Sequence, residues 1–178
     1  SVVVTARRKA ELDALVAEVA EAGGNAQALA GDVTDEAHAK ALVALAEKTF
    51  GGLDIAFNNA GSTGAMGPTV NVSLAGWRET LDTNLTSAFL GAKYQVPAMI
   101  SRGGGSLIFT SSFVGHTVGM PGMAAYAARN QGSDRQPGDP GRRCRVSRSR
   151  LDRAADRRLP SPTTHADGGV VGWHRRVG

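Results

Sequence analysis

Short apolar runs and longer stretches of helical period alternate along the first 128 residues of the chain. Ser1-Val2-Val3-Val4-Thr5 is a β-branched run too short for a helix, and Arg7, Arg8 and Lys9 bound it, which predicts a buried strand. From Lys9 to Ala22 the apolar residues Leu12, Leu15, Val16 and Val19 recur at three and four, the spacing of one helical face, and Gly23-Gly24 supplies the stop. Asn25 to Val33 reads as a second strand. Thr34 is then expected to cap a helix through Phe50 that turns Leu42, Val43, Leu45 and Ala46 inward. Leu53 to Phe57 reads as a third strand and opens into the polar loop Asn58-Asn59-Ala60-Gly61. A long helical stretch from Leu74 to Ser101, with Pro97 a candidate kink, leads through Gly103-Gly104-Gly105 to a fourth strand, Ser106 to Thr110.

Strands that are apolar throughout, alternating with helices, imply parallel pairing with helices on both faces: a doubly wound α/β domain. In such sheets the ligand crevice lies outside the carboxyl ends of the strands. The segments to inspect are therefore Ala6 to Arg8, Asp32-Val33, Asn58 to Gly61 and Ser111 to Gly115. Taken singly, each is also what a surface turn carries, since turns favour Gly and Asn for their backbone freedom.

Composition divides the chain at about residue 128. Residues 1–128 hold 8 basic and 11 acidic side chains and 63 apolar ones. Residues 129–178 hold 12 arginines, no lysine, no glutamate and 5 aspartates, with 11 apolar residues. A single Cys144 excludes a disulfide within the chain and a cysteine-only zinc site; no metal site is expected. No run approaches the roughly 18 apolar residues of a membrane span, and Ser1 to Thr5 lack the charged start of a signal peptide, so a cytoplasmic location is the expectation. Ser1 leads straight into an apolar run with no initiator methionine, which reads as a chain cut from a longer one.

Asn58-Asn59-Ala60-Gly61 after a strand, Asn84-Leu85 inside the following helix, Ser111-Ser112 after the next strand and Tyr126-Ala127-Ala128 beyond it together resemble the classical short-chain dehydrogenase/reductase family over residues 1–128. The resemblance implies a Rossmann-like NAD(P)-binding domain, incomplete here. The family opens with a strand and a Gly-x-x-x-Gly-x-Gly turn that cradles the cofactor pyrophosphate at a helix N-terminus, whereas Ser1 to Thr5 looks like its second strand. It also implies an alcohol or carbonyl as small-molecule substrate, and a homo-oligomer for an intact relative. By the same resemblance Tyr126 is the general acid/base, Ser112 the hydrogen-bonding partner of the substrate oxygen, and Asn84 the helix residue that holds a water. A free phenol titrates near pH 10, so such a tyrosine needs positive charge nearby. The family supplies it with a lysine four residues on. Position 130 is asparagine here, so the resemblance implies a slow or inactive site. Asp32-Val33 resembles the pair contacting adenine, and Asn59, Ala60 and Gly61 the loop that lets the cofactor lie close to the backbone. Thr5-Ala6-Arg7-Arg8 carries no carboxylate at the strand end, where arginine would attract a 2′-phosphate, so NADP is favoured over NAD.

After Ala128 the apolar period stops. Low hydrophobicity with high net charge reads as a disordered tail over residues 129–178. Arginine without lysine is also what a GC-rich gene yields when translated out of frame. Shifted by one nucleotide, Asn130 before Gln131 encodes Ile or Thr, and Gln131 before Gly132 encodes Lys or Arg, close to what the family places after its tyrosine. The alternatives are a basic tail that binds phosphate backbones, in which only Trp173 is available for base stacking, and a non-catalytic nucleotide-binding protein. The stretch through which the family selects substrate has no recognisable counterpart, and Phe113, His116, Met120 and Met123 are the candidate pocket walls.

Overall fold

The structure is a computed structural model and describes residues 1–133, 144–149 and 170–173. Strand β1 (Val2–Ala6) is followed by α1 (Lys9–Glu21), β2 (Ala26–Ala30), α2 (Glu36–Phe50) and β3 (Ile55–Asn58). Next come α3 (Leu74–Leu81), a π turn (Asp82–Thr86), α4 (Ser87–Ser101), β4 (Gly105–Thr110), α5 (Ala124–Ser133), β5 (Cys144–Ser149) and β6 (Val170–Trp173). The strands form one sheet in the order β2-β1-β6-β3-β4-β5.

Every pairing is parallel except the two made by β6, which runs against both β1 and β3. The carboxyl ends of β1 to β5 therefore share one edge of the sheet, and that edge forms the crevice. Period-two burial sets the layers. Val2 and Val4 pack with Leu12, Leu15, Val16 and Val19 of α1, while Val3 lies with Leu42, Val43 and Ala46 of α2. The sheet is thus covered on both faces, as the apolar runs imply. The larger core joins Val43 of α2 and Ala98 and Met99 of α4 to Leu53, Ala56, Leu107 and Phe109. Burying a side chain such as Leu107 or Met99 contributes roughly 1.5–3 kcal/mol.

Two boundaries differ from the pattern reading, each for a local hydrogen-bonding reason. The cap of α2 is Asp35, whose side chain accepts from Ala37 N at 2.8 Å. Thr34 instead turns back, its N–H and hydroxyl both donating to Asp32 Oδ1 at 2.9 and 2.8 Å. The helix expected over Leu74 to Ser101 is interrupted not at Pro97, which lies within α4, but by the π turn. There Asn84 Nδ2 donates to Thr80 O at 2.7 Å and Ser87 Oγ to Thr83 O at 2.6 Å, side-chain bonds to carbonyls four residues back that loosen the backbone ladder.

Two strands, β5 and β6, come from the segment in which the sequence shows no apolar period. The backbone edges of β1 and β3 account for β6. Each of these buried strands presents unpaired N–H and C=O groups toward the other, and an extended segment satisfies both at once. Val171 pairs with Val4 on one side and with Phe57 on the other. The remainder of the tail expected to be disordered lies outside the described residues.

Candidate active site

The last residues of β3 and β4, Asn58 and Thr110, open onto a cleft that is also lined by Ala60, Asn84, Ser87 and Arg129. Asn58 is held by a reciprocal amide pair with Gln95 of α4, Nδ2 donating to Gln95 Oε1 at 2.8 Å and Gln95 Nε2 donating to Asn58 Oδ1 at 3.0 Å. Thr110 Oγ1 donates to Asn59 Oδ1 across the two strand ends. Asn84 Oδ1 accepts from Ser62 N at 2.9 Å, so this buried residue lashes the loop after β3 to the π turn. Gly61 permits the approach: a Cβ there would lie 2.8 Å from Asn84 Oδ1. Both polar groups of the Asn84 side chain thus serve the scaffold.

The loop after β4 is fixed against α5. Ser112 Oγ accepts from Val114 N at 3.3 Å, and Asn130 Nδ2 donates to Val114 O at 2.6 Å. Ser111 Oγ lies 3.2 Å from His116 Nε2. Gly115, at φ 90°, has no Cβ to collide with Ala127 O, which would be 2.4 Å away. Tyr126, on the first half of α5, is half-buried, and Arg129 one turn on is buried at 5% exposure. Arg129 Nη2 donates to the Tyr126 hydroxyl at 3.3 Å, and its Cζ sits 4.8 Å from the centre of the Tyr126 ring.

A second group of side chains stands at the ends of β1 and β2. Ala6 and Val33 are half-buried, and Arg7, Arg8 and Asp32 are exposed. Arg8 is committed to Glu11 at 2.6 Å, an ion pair that offsets a cation at a helix N-terminus. Arg7 makes no hydrogen bond or ion pair among the described residues, and its charge helps hold the Asp32 carboxyl below the usual range. The larger cause of that lowering is the pair of bonds from Thr34. Behind them His38 Nε2 lies 2.8 Å from Thr5 Oγ1, whose own hydrogen goes to Leu29 O at 2.6 Å, so the ring donates. Burial pushes the His38 imidazole below its ordinary value, against the opposing charges of Asp35 and Asp32.

Asn58, Ala60, Asn84 and, through Arg129, Tyr126 are brought to one cleft. Ser112 and position 130 meet on the backbone of Val114. Ala6, Arg7, Arg8, Asp32 and Val33 form a separate cluster along the same sheet edge. Arg129, Gln95, Thr110 and His38 escaped the sequence reading. Gln95 and Thr110 are polar residues in apolar runs, a signal that marks buried hydrogen bonding; Arg129 stands at the start of the arginine-rich segment and carries no such mark.

These positions match a dinucleotide only in part. The exposed, uncommitted Arg7 beside Asp32 suits a ribose or its phosphate, and the Asn58 to Gly61 loop suits close approach to the backbone. Among the described residues the diphosphate has no counterpart: β6 runs opposite to its neighbours, and no described strand-to-helix turn opens at the middle of the crevice. Among the described residues no group of three or more His, Cys, Asp or Glu side chains is arranged to hold a metal ion. Nor is any helix among them long and apolar enough to cross a membrane.

The family model described as short chain dehydrogenase matches residues 1–133. Cyclohexanol dehydrogenase of Acinetobacter sp. (strain SE19) is 36% identical over 132 residues, 74% of this chain and 52% of that protein. A 2,5-dichloro-2,5-cyclohexadiene-1,4-diol dehydrogenase of Sphingobium indicum is 46% identical over 111 residues, 62% of this chain and 44% of its own length. Among solved structures, a 3-ketoacyl-ACP reductase from Sinorhizobium meliloti 1021 superposes with a TM-score of 0.71 at 35% identity, covering 74% of this chain and 52% of that one. An NAD+-bound xylitol dehydrogenase does so at 0.69 and 30%, covering 74% and 50%. The chain spans about half the length of the curated relatives it matches.

Proposed function

The chain belongs to the short chain dehydrogenase family, and from that premise we propose that it derives from an NAD(P)-dependent oxidoreductase interconverting a small alcohol and its carbonyl. The carrying observation is the placement of Tyr126: its hydroxyl meets Arg129, and Arg129 lines the cleft formed by Asn58, Ala60 and Asn84 at the strand ends. A nicotinamide cofactor, held along the strand ends by Arg7, Asp32 and the Asn58 to Gly61 loop, would supply or accept the hydride. The chain's own part is proton transfer and orientation. Tyr126 gives its phenolic proton to the substrate oxygen in reduction and takes one back in oxidation, while Ser112 holds that oxygen. Ser112 Oγ accepts from Val114 N at 3.3 Å, which leaves its own hydroxyl hydrogen to donate to that oxygen. The exposed Arg7 favours the 2′-phosphate of NADP. Alcohol and diol relatives support a small-molecule substrate, and a cytoplasmic enzyme fits the family.

In this reading the chain is a poor catalyst, because its described residues hold no cradle for the diphosphate and position 130 carries asparagine in place of a lysine. The family match ends at residue 133, close to where the arginine-rich segment begins at residue 129. This supports out-of-frame translation of the remaining residues, over a basic tail that binds nucleic acid. Sequencing the coding DNA from the Gly76 codon onward decides that point. For function, NADPH and NADH are titrated by fluorescence against the chain and against a frame-restored form carrying a Gly-rich opening strand. Binding and carbonyl reduction by the second form are expected; neither activity in it would defeat the proposal.

A further inference from the structure

We propose that Arg129 is the positioning residue of Tyr126, its guanidinium serving as counter-charge to the phenolate in the role left open by asparagine at 130. The inference rests on the reading of Tyr126 as proton donor and acceptor, and deepens it.

Geometry and valence carry the argument. A guanidinium has only donors and stays charged, whereas a phenol both donates and accepts. In the 3.3 Å contact the phenolic oxygen is therefore the acceptor, and its own hydrogen is left for a substrate oxygen. The cation also lies over the ring face, 4.8 Å from its centre, where the quadrupole is attractive. Arg129 is almost wholly buried, and a buried charge is costly unless an opposite charge or strong acceptor meets it. Among the described residues no carboxylate pairs with Arg129; the Tyr126 oxygen is its hydrogen-bond acceptor, and Arg129 Nε has none. The balance of charge favours the step. When Tyr126 releases its proton to the carbonyl oxygen as the hydride reaches carbon, the negative charge appears on an atom already touching the guanidinium. In the reverse direction the phenolate takes the alcohol proton and the pair returns to phenol and guanidinium.

Other titratable groups near this helix stand apart. The segments packed on α5 are α3 and the π turn, which carry Arg78, Glu79 and Asp82, all exposed, and the loop after β4 brings His116. None shares a hydrogen bond, ion pair or ring contact with Tyr126 among the described residues. Asn130, on the same helix, is uncharged and bonded to Val114 O.

The test reads ionisation and so stands independently of dehydrogenase activity. The chain contains two tyrosines, so Tyr94→Phe leaves Tyr126 alone. Tyrosinate absorbance is then followed against pH in this 178-residue chain and in Arg129→Lys, Arg129→Gln and Arg129→Met versions of it, with far-UV circular dichroism at each point. Loss of the charge is expected to reduce tyrosinate formation at a given alkaline pH, and Arg129→Lys to retain most of the parent behaviour. Coincident curves for parent, Gln and Met versions overturn the proposal. Should the neutral variants not fold, the parent is compared with itself in urea: earlier tyrosinate formation in the folded chain supports the pairing, and later formation refutes it. A supported pairing in a chain whose frame-restored form reduces nothing would leave the ion pair standing and remove the oxidoreductase reading alone.

Discussion

Asn130 donates a 2.6 Å hydrogen bond from Nδ2 to the carbonyl oxygen of Val114, and neither side chain has more than 3% of its residue exposed. The position for which the family resemblance expects a charged lysine is here a buried amide that pins the loop after β4 to α5. Repairing it by substitution alone is therefore a structural problem as well as a chemical one.

Asn130→Ala is expected to lose about 1–3 kcal/mol by leaving the Val114 carbonyl buried without this donor. Asn130→Lys should cost at least as much, since an ammonium must be accommodated where exposure is 0%. Urea denaturation checks both; a Lys variant as stable as the parent would show that the loop can move aside.

His38 gives the fold a pH dependence whose sign follows from burial. Its folded value lies below the ordinary imidazole value of about 6.5. The unfolded chain therefore binds more protons between the two values, and stability rises with pH across that window. The contribution is complete above about 6.5 and is lost as pH falls through the folded value. His38→Gln, which can keep a donor toward Thr5 without titrating, should flatten the slope of urea midpoint against pH between about 7 and 5. An unchanged slope would locate the acid sensitivity elsewhere, for the lowered carboxyls of Asp32 and Glu36 act only at more acid pH.

The fold was legible where side chains alternate and was hidden where backbone decides. Val2, Val3 and Val4 announced a two-sided strand, and the stripe from Leu12 to Val19 announced the helix packed on it. The π turn was not legible, because Asn84 and Ser87 break the helical ladder through carbonyl bonds that leave the apolar period intact. Nor was β6, whose four residues are drawn into the sheet by two unpaired strand edges rather than by a pattern of their own. At the site, Asn58, Ala60 and Asn84 were readable from motif spacing and do share a cleft. Arg129 was not, since its role comes from facing Tyr126 one turn away on a helix that continues past the end of the apolar period at Ala128.

Strand β6 should be a weak point of the sheet. It has four paired residues on each side and runs against two parallel neighbours. Val171→Pro removes an N–H and imposes a fixed φ in a central strand, so the chain is expected to unfold earlier in urea and to aggregate more readily, with β1 and β3 exposed along their edges. Equal stability of the variant would mean that Val170–Trp173 contributes nothing to holding the two halves of the sheet together. The parent chain itself is expected to show a broad thermal transition of low cooperativity; a sharp one by calorimetry would contradict that.

Paired titration and turnover of two proteins sharing residues 1–128 tests the oxidoreductase reading most directly. One is the 178-residue chain; the other adds a family-like opening strand with its Gly-rich turn and restores the reading frame beyond residue 128. Loss of two or more charge-assisted bonds to the diphosphate, at about 1.5–3 kcal/mol each, weakens binding by about 3 kcal/mol or more. The first protein should therefore bind NADPH at least about a hundredfold more weakly than the second, and only the second should reduce carbonyl substrates, with Tyr126→Phe abolishing turnover while sparing NADPH binding. Undiminished turnover in that Tyr126→Phe variant, or equal turnover by the 178-residue chain, would contradict it.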